Sequence, residues 1–518
     1  MHSFSYFWNQ KWLVSLSAGL LLGLSFSPFP FPFSLLVFPG FVLLLRLTDL
    51  SESAREMAYV SYAGLLLWNI ITTYWLMFAT VAGGIAAILA NAVIMTIPLM
   101  IIWQLRHSSM SLTASSLLVP AVWLTYEFLH FRWDLSWPWL SLGNSFATAP
   151  WLVQYISLTG MLGITFWIVL SAWLLYSKTP RYVILLVLLV PPAGSLIRYA
   201  VHQPEPVDEI EVLIMQPNYD SYLHLSGYPD VITPLEELLE LTSDAITPGT
   251  RAVFWPENSI KALIVQGYPG ESDRLIRKYV RNWDVPLIAG SSFLRRYDPG
   301  TEPPVIRGHY GGKPFNIYNS ALGFRTDGSL EFYKKAKLVP MVERFPFVHT
   351  FSRLDRFDWI DWSDVAMFGK GITPDMFNID GYDVPALICY DSVYPDWVRR
   401  FVNQDAAFLV VITNDGWWGN TSGHIQHYEF ARLRAVETGR TVLRSANNGL
   451  SGVIHANGDV AVKTEYWTRD LFTYAVPVYE HKTFYVRYGD WIGWLCLLLS
   501  AAAVVLVRLY PAQGRIRR

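Results

Sequence analysis

Charge is scarce in this 518-residue chain: 16% of its residues are Asp, Glu, Lys or Arg, and 52% are hydrophobic. Ordinary soluble chains carry about 25% charged residues. Most of the charge falls within residues 203–480, which leaves the remainder extremely apolar and excludes a wholly soluble protein. Cysteine is scarcer still. Cys389 and Cys496 are the only two, which excludes a disulfide framework in the polar region and any zinc-type cysteine spacing. Cys496 sits in WIGWLCLLLS and reads as a small core or lipid-facing residue. A net charge of −2, with no basic patch interleaved with aromatics, gives no reason to invoke nucleic acid. Neither an internal repeat nor a low-complexity linker is present.

What is abundant is apolar runs. About 20 mostly apolar residues cross a hydrocarbon core, and eight segments read as spans: 12–29, 33–46, 57–79, 81–105, 112–131, 151–176, 182–199 and 488–509. Placing the N-terminus inside collects Lys11, Arg46, Arg55, Arg106, Lys178, Arg181, Arg508, Arg515, Arg517 and Arg518 on the inner face. The outer short loops then keep little beyond Arg132 and Arg198, the asymmetry that orients membrane proteins. The expected domains are a seven-helix membrane domain over 1–199, an extracytoplasmic domain over 200–487, and a last span with a basic tail over 488–518. The Pro- and aromatic-rich stretch 132–150 faces the outer side in this arrangement and is a candidate lipid-facing mouth.

The polar region reads as α/β. Apolar, β-branched runs at 209–215, 252–255, 286–289, 384–388 and 406–413 alternate with helical patterns at 235–246, 272–282, 394–403 and 425–438. This alternation suggests a layered sheet with helices outside. Three chemistry-bearing residues lie at or beside strand ends, where α/β folds gather reacting groups. They are Glu257 in FWPENS, Lys335 in EFYKKAKLVP and Cys389 in ALICYDSVYPDWVRR. A cysteine between a strand and a helix start has backbone N–H groups and a helix dipole nearby, which lower its pKa. Direct proton transfer from a free thiol to a free glutamate costs about 5–6 kcal/mol. Burial raises the glutamate and an ammonium lowers the thiol, which narrows that gap. The set reads as Glu257 the base, Cys389 the nucleophile and Lys335 the stabiliser of an oxyanion.

At these residues the chain resembles the nitrilase superfamily, and within it the membrane-embedded apolipoprotein N-acyltransferases. The motifs that carry the resemblance run in order: PWLSLGNS, IMQPN, WPEN, YKKAKLVP, ICYDSVYPDWVR, TNDGWWG, QHYEFARLRAVETGR and RSANNGLSG. The resemblance implies an αββα sandwich joined to a polytopic helical membrane domain. It also implies transfer of an acyl chain from a phospholipid donor, through a thioester, to the amine of a diacylglyceryl-modified cysteine on an apolipoprotein. A bacterial inner membrane, with the catalytic domain on the periplasmic side, is the implied setting. No cofactor or metal is expected, and the chain is expected to act as a monomer. Three positions depart from the family pattern: Lys337 replaces its histidine, MVERFP replaces Phe-Gly-Glu-Tyr-Val-Pro, and Asp391 stands where glutamate is usual.

Further residues have two readings each. Glu343 either orients Lys335 or pairs with Arg344. Tyr390 and Asp391 either brace the cysteine turn or simply pack. Asn414, Asp415, Trp417 and Trp418 shape an acyl pocket or form a turn with surface tryptophans. Trp139, in the PWLSLGNS segment, is a candidate for lining or supporting the substrate site. His424 and His427 read as structural, since no acidic or cysteine partner stands in motif spacing. The aromatic stretch 345–368 is a candidate membrane-resting gate. Two rival functions share these features: a membrane-tethered amidase or lipid hydrolase, and a transport or binding protein with a dead catalytic domain.

Overall fold

The computed structural model describes residues 10–107, 112–177, 179–201, 204–351 and 368–509. The expected gate at 345–368 lies largely outside them. Two compact units emerge: Met1–Gln203 with Thr421–Glu437 and Thr483–Arg518, and Pro204–Asn420 with Thr438–Lys482.

Long helices of the first unit coincide with the expected spans. They are α1 (Lys11–Leu24), α2 (Val37–Leu50), α3 (Ala54–Thr73), α4 (Val81–Arg106), α5 (Leu112–His130), α6 (Leu162–Tyr176) and α7 (Arg181–Val201). Among the described residues, three helical segments are long and apolar enough to cross a membrane by length and composition: Phe33–Leu50, Val81–Arg106 and Arg181–Val201. The segment expected to be one span over 151–176 is broken. A short helix, Ile156–Thr159, ends at Gly160, whose φ of 65° suits glycine, and α6 starts only at Leu162.

Residues 138–146 turn through two 3-10 segments, and Trp139, Leu140, Leu142 and Phe146 are buried rather than open to lipid. Buried irregular backbone needs partners, and Glu127 of α5 supplies them. One of its carboxylate oxygens accepts from the indole of Trp123 at 3.0 Å and from the backbone N–H of Leu142 at 2.9 Å. The other accepts from the Ser141 hydroxyl and from Thr165 at 2.7 Å.

The second unit begins with β1 (Asp208–Gln216), α8 (Thr233–Ala245), β2 (Ala252–Phe254), β3 (Ile260–Val265), α9 (Glu271–Trp283) and β4 (Leu287–Arg296). There follow β5 (Gly308–Tyr310), β6 (Lys313–Phe324), β7 (Leu330–Lys334), β8 (Phe377–Ile379), β9 (Tyr382–Val384), β10 (Ala386–Ile388) and α10 (Pro395–Asn403). It closes with β11 (Leu409–Thr413), β12 (Val442–Ala446), β13 (Gly452–Ile454), β14 (Val460–Lys463) and β15 (Asp470–Val478).

Eight of these strands form one mixed sheet, ordered β15-β1-β2-β4-β6-β5, with β3 on β4 and β7 on β6. Five form a second, ordered β10-β11-β12-β13-β14. The sheets meet where Ser445 of β12 donates to the Met215 carbonyl of β1 at 2.8 Å. Leu213, Leu238, Val253, Ile276 and Leu287 pack the core between the large sheet and helices α8 and α9. The helix Ser422–Thr438, between β11 and β12 in the chain, packs with the first unit. Its Gln426 donates to the carbonyls of Ser27 at 2.6 Å and Thr72 at 3.1 Å.

Candidate active site

Cys389 follows β10 directly and has a φ of 46°, a left-handed conformation that non-glycine residues avoid. The five residues Cys389–Val393 then form a 3-10 turn, closed by Ser392 donating to the Cys389 carbonyl at 2.7 Å. Such strain persists only where surrounding structure enforces it. Asp391 does so. Its carboxylate accepts from Ile388 N–H at 3.3 Å, Lys337 N–H at 2.7 Å, Ala336 N–H at 3.2 Å and the Tyr333 hydroxyl at 2.7 Å. One buried carboxylate therefore ties the cysteine turn to the backbone just after Lys335. Burial lifts that carboxyl to about 6, against the opposing pull of Lys335 and the Tyr333 hydroxyl.

Glu257 lies between β2 and β3 and is 8% exposed. Gly290 of β4 lets it approach: a Cβ there would come within 2.5 Å of the Glu257 Cα. One Glu257 oxygen accepts from Asn319 at 2.7 Å and from Lys335 Nζ at 3.1 Å. The other accepts the backbone N–H of Asn414 at 3.1 Å. Lys335, 1% exposed, also donates to Glu343 at 2.8 Å. The far oxygen of Glu343 accepts the Val339 N–H at 2.8 Å. Glu343 thus bridges Lys335 and the Val339 backbone. Burial works against the Lys335 ammonium, but Glu257 and Glu343 outweigh it, and the lysine is held well above its ordinary value.

The Cys389 thiol departs from the expected lowering. Burial pushes it well above the ordinary thiol range, Glu257 adds to the rise, and Lys335 only partly opposes it. At rest the sulfur holds its proton. The turn's dipole is short, and desolvation dominates a side chain that is 8% exposed.

Asn414 accepts through its side chain from Ser221 at 2.8 Å and Asn447 at 3.1 Å, which fixes the N–H it offers to Glu257. Tyr390 is buried with its ring edge-on to Tyr394 at 5.1 Å. Trp417 is 42% exposed, with its carbonyl accepting from Tyr222, and Trp418 is half-buried. Trp139 belongs to the first unit, where its indole donates to Gln426 at 2.6 Å and its ring stacks on Trp137 at 5.5 Å. Lys337 is half-buried over the Tyr394 ring at 4.6 Å, and burial lowers its ammonium to about 8.

Sequence reasoning passed over Asn319, whose amide donates to both Glu257 and Glu343, the latter at 3.0 Å. The available signal was a polar residue within a long strand, NIYNSALGF, in step with its half-buried positions. Asp415, read from the sequence as a pocket or turn residue, is fully buried against Arg444 at 3.0 Å and accepts from Thr413 at 2.7 Å.

Residues 215–482 match the carbon-nitrogen hydrolase family, and residues 18–174 match the apolipoprotein N-acyltransferase N-terminal domain. The chain is similar to the apolipoprotein N-acyltransferase of Chlorobaculum tepidum, with 29% identity over 96% of this chain and 97% of the relative. It is 26% identical to that of Geobacter metallireducens, over 96% and 95%. With that of Shewanella oneidensis the identity is 28%, over 79% and 76%.

Proposed function

The chain belongs to the carbon-nitrogen hydrolase family, in the branch whose N-terminal domain is that of the apolipoprotein N-acyltransferases, and we propose that it N-acylates lipoproteins through a thioester on Cys389. The donor is a phospholipid, and the acceptor is the amine of a diacylglyceryl-modified cysteine. The observation that carries this reading is the buried ring of Glu257, Lys335, Glu343 and Asn319, within electrostatic reach of a protonated, strained cysteine.

Glu257 is the base. Its oxygen that faces Asn414 accepts one described hydrogen bond and retains a lone pair for the thiol proton. Deprotonated Cys389 attacks the ester carbonyl, and the charge that develops on the carbonyl oxygen is stabilised by Lys335. Glu257 returns the proton to the departing glycerol oxygen as the C–O bond breaks. Lysophospholipid leaves, and the acyl group remains on sulfur. In the second half, Glu257 takes a proton from the attacking amine, the C–S bond breaks, and the thiol re-forms as the amide departs. Glu343 and Asn319 are positioning residues that fix Lys335 and Glu257.

Eight spans, cytoplasmic termini and a periplasmic catalytic domain in a bacterial inner membrane complete the proposal, with the chain acting as a monomer. The basic-residue asymmetry of the short loops supports that orientation. The test of function adds a diacylglyceryl-cysteine peptide to enzyme acylated from phospholipid. The peptide should gain one amide-linked chain while free fatty acid stays low. Rapid fatty acid release with an unmodified peptide would instead identify a hydrolase.

A further inference from the structure

On the helix-covered face of the large sheet lies a cleft of about 860 Å³ that the acyl-transfer reaction does not use. Its separation from the catalytic centre follows from strand alternation. In β7, Tyr333 points to Asp391, whereas its neighbours Leu330 and Phe332 line the cleft. Phe293 of β4 joins them, its ring 4.8 Å from that of Phe332, so the floor is apolar and aromatic.

One wall is cationic. Arg274, Lys278 and Arg281 of α9 line the cleft and are exposed. At 1.5 Å per residue they span about 10 Å along the helix. Arg277 also lines the wall, but it is committed: it pairs with Asp273 at 3.0 Å and donates to the Gly328 carbonyl. Asp273, the acidic residue lining the cleft, is thereby consumed. Lys278 and Arg281 have no hydrogen-bond or ion-pair partner among the described residues. A row of solvated cations without acidic partners, beside an apolar floor, is complementary to an anion that has an apolar part. The volume lies in the range of small-molecule sites, about 300–1,000 Å³.

We propose that this cleft binds a single-chain phosphate amphiphile, with its phosphate on Lys278 and Arg281 and its acyl chain against Leu330, Phe332 and Phe293. Guanidinium forks suit phosphate oxygens, and the cationic lip and apolar floor match the two ends of such a molecule. An anionic lysophospholipid fits this description. The inference concerns binding alone and stands whether or not acyl transfer proceeds as proposed.

The test uses full-length Cys389→Ala protein, which cannot be acylated at that sulfur, and lysophosphatidylglycerol carrying a photoreactive group in its chain. Cross-links should map to peptides containing residues 264–281 and 328–332. Lysophosphatidylcholine should label them about tenfold less, because its choline offsets the phosphate charge. Lys278→Glu with Arg281→Glu, both on the exposed face of α9, should lower labelling about tenfold or more. Those two substitutions should leave peptide acylation unchanged in protein with Cys389 intact. Equal labelling by the two lipids, labelling that survives the charge reversals, or cross-links confined to other peptides would overturn the proposal. Full displacement by millimolar inorganic phosphate, with no preference for the acyl chain, would reduce the site to a phosphate site and overturn its lipid character.

Discussion

Glu127 in the first unit and Glu257 in the second are both buried carboxylates, yet they are satisfied in opposite ways. Glu127 accepts from four neutral donors, two on each oxygen, and no cation touches it among the described residues. Glu257 accepts three bonds, one from an ammonium, and keeps one oxygen only singly engaged. A carboxylate with every lone pair taken is a fastener, because moving a proton onto it would break a bond already made. A carboxylate left one bond short, beside a cation and a protonated thiol, can take and return a proton. The difference lies in the partners, not in the burial.

The sharpest way to break this comparison is to neutralise both residues in the same manner. Glu257→Gln should cost about 100–10,000-fold in acyl transfer, the range typical of a positioned general base. The fold should survive at a cost of about 1–3 kcal/mol, since the amide oxygen can still accept from Asn319 while its nitrogen meets the Asn414 N–H. Peptide acylation rates with thermal unfolding of the same samples check this. Near-wild-type turnover would reassign the base.

Next in size is Lys335→Met, expected to lower the rate about 100–1,000-fold. Lys334→Met should change it little, because Lys334 is half-buried on the opposite face of the strand end and makes no bond to either glutamate among the described contacts. If Lys334→Met were the more damaging, the lysine assignment would be wrong.

A smaller effect is expected from Asp391, whose carboxyl sits at about 6 in the folded protein. An unfolded chain titrates it near 3.9. The folded state therefore binds the extra proton between those values, and stability falls as pH rises from about 4 to about 6. Asp391→Asn should flatten that part of the stability profile relative to the parent. An unchanged slope would mean that another group sets it.

The smallest effect on rate belongs to Glu127→Gln. Its amide nitrogen would meet only N–H donors on the Trp123 and Leu142 side, so it should settle toward the Ser141 and Thr165 hydroxyls, which can turn to accept, and the first unit should lose about 1 kcal/mol. The folded fraction should turn over at close to the parent rate, within about twofold by the same peptide assay. A rate loss as large as that of Glu257→Gln would erase the distinction between fastener and base.

Much of this was readable in the residues. Glu257, Lys335 and Cys389 each follow or flank an apolar strand run, and the helical patterns at 272–282 and 394–403 match α9 and α10 to within a residue or two. Other features depend on distant contacts and leave little local trace. Asn319 is one polar residue in a long strand until β6 lies beside both glutamates. The raised Cys389 thiol reflects burial by distant parts of the chain, whereas the local sequence advertises only the turn that lowers it. Pro150, just before the run 151–176, and Gly160 within it were visible breakers, but the apolar content of the run outweighed them in a length-based reading. Trp139 illustrates the same limit. Its place in a Pro- and Trp-rich loop suggested an open mouth, whereas Glu127 and Gln426 draw that loop inward.

The central claim is that Glu257 activates Cys389 for acylation. Intact-mass and peptide mapping of the parent, Glu127→Gln and Glu257→Gln proteins, each incubated with one defined phospholipid, test it most directly. The parent and Glu127→Gln should carry one fatty acyl group on Cys389, and Glu257→Gln should carry none. An acyl group on Cys389 of Glu257→Gln in parent amount, or on any other residue of the parent, would contradict the account.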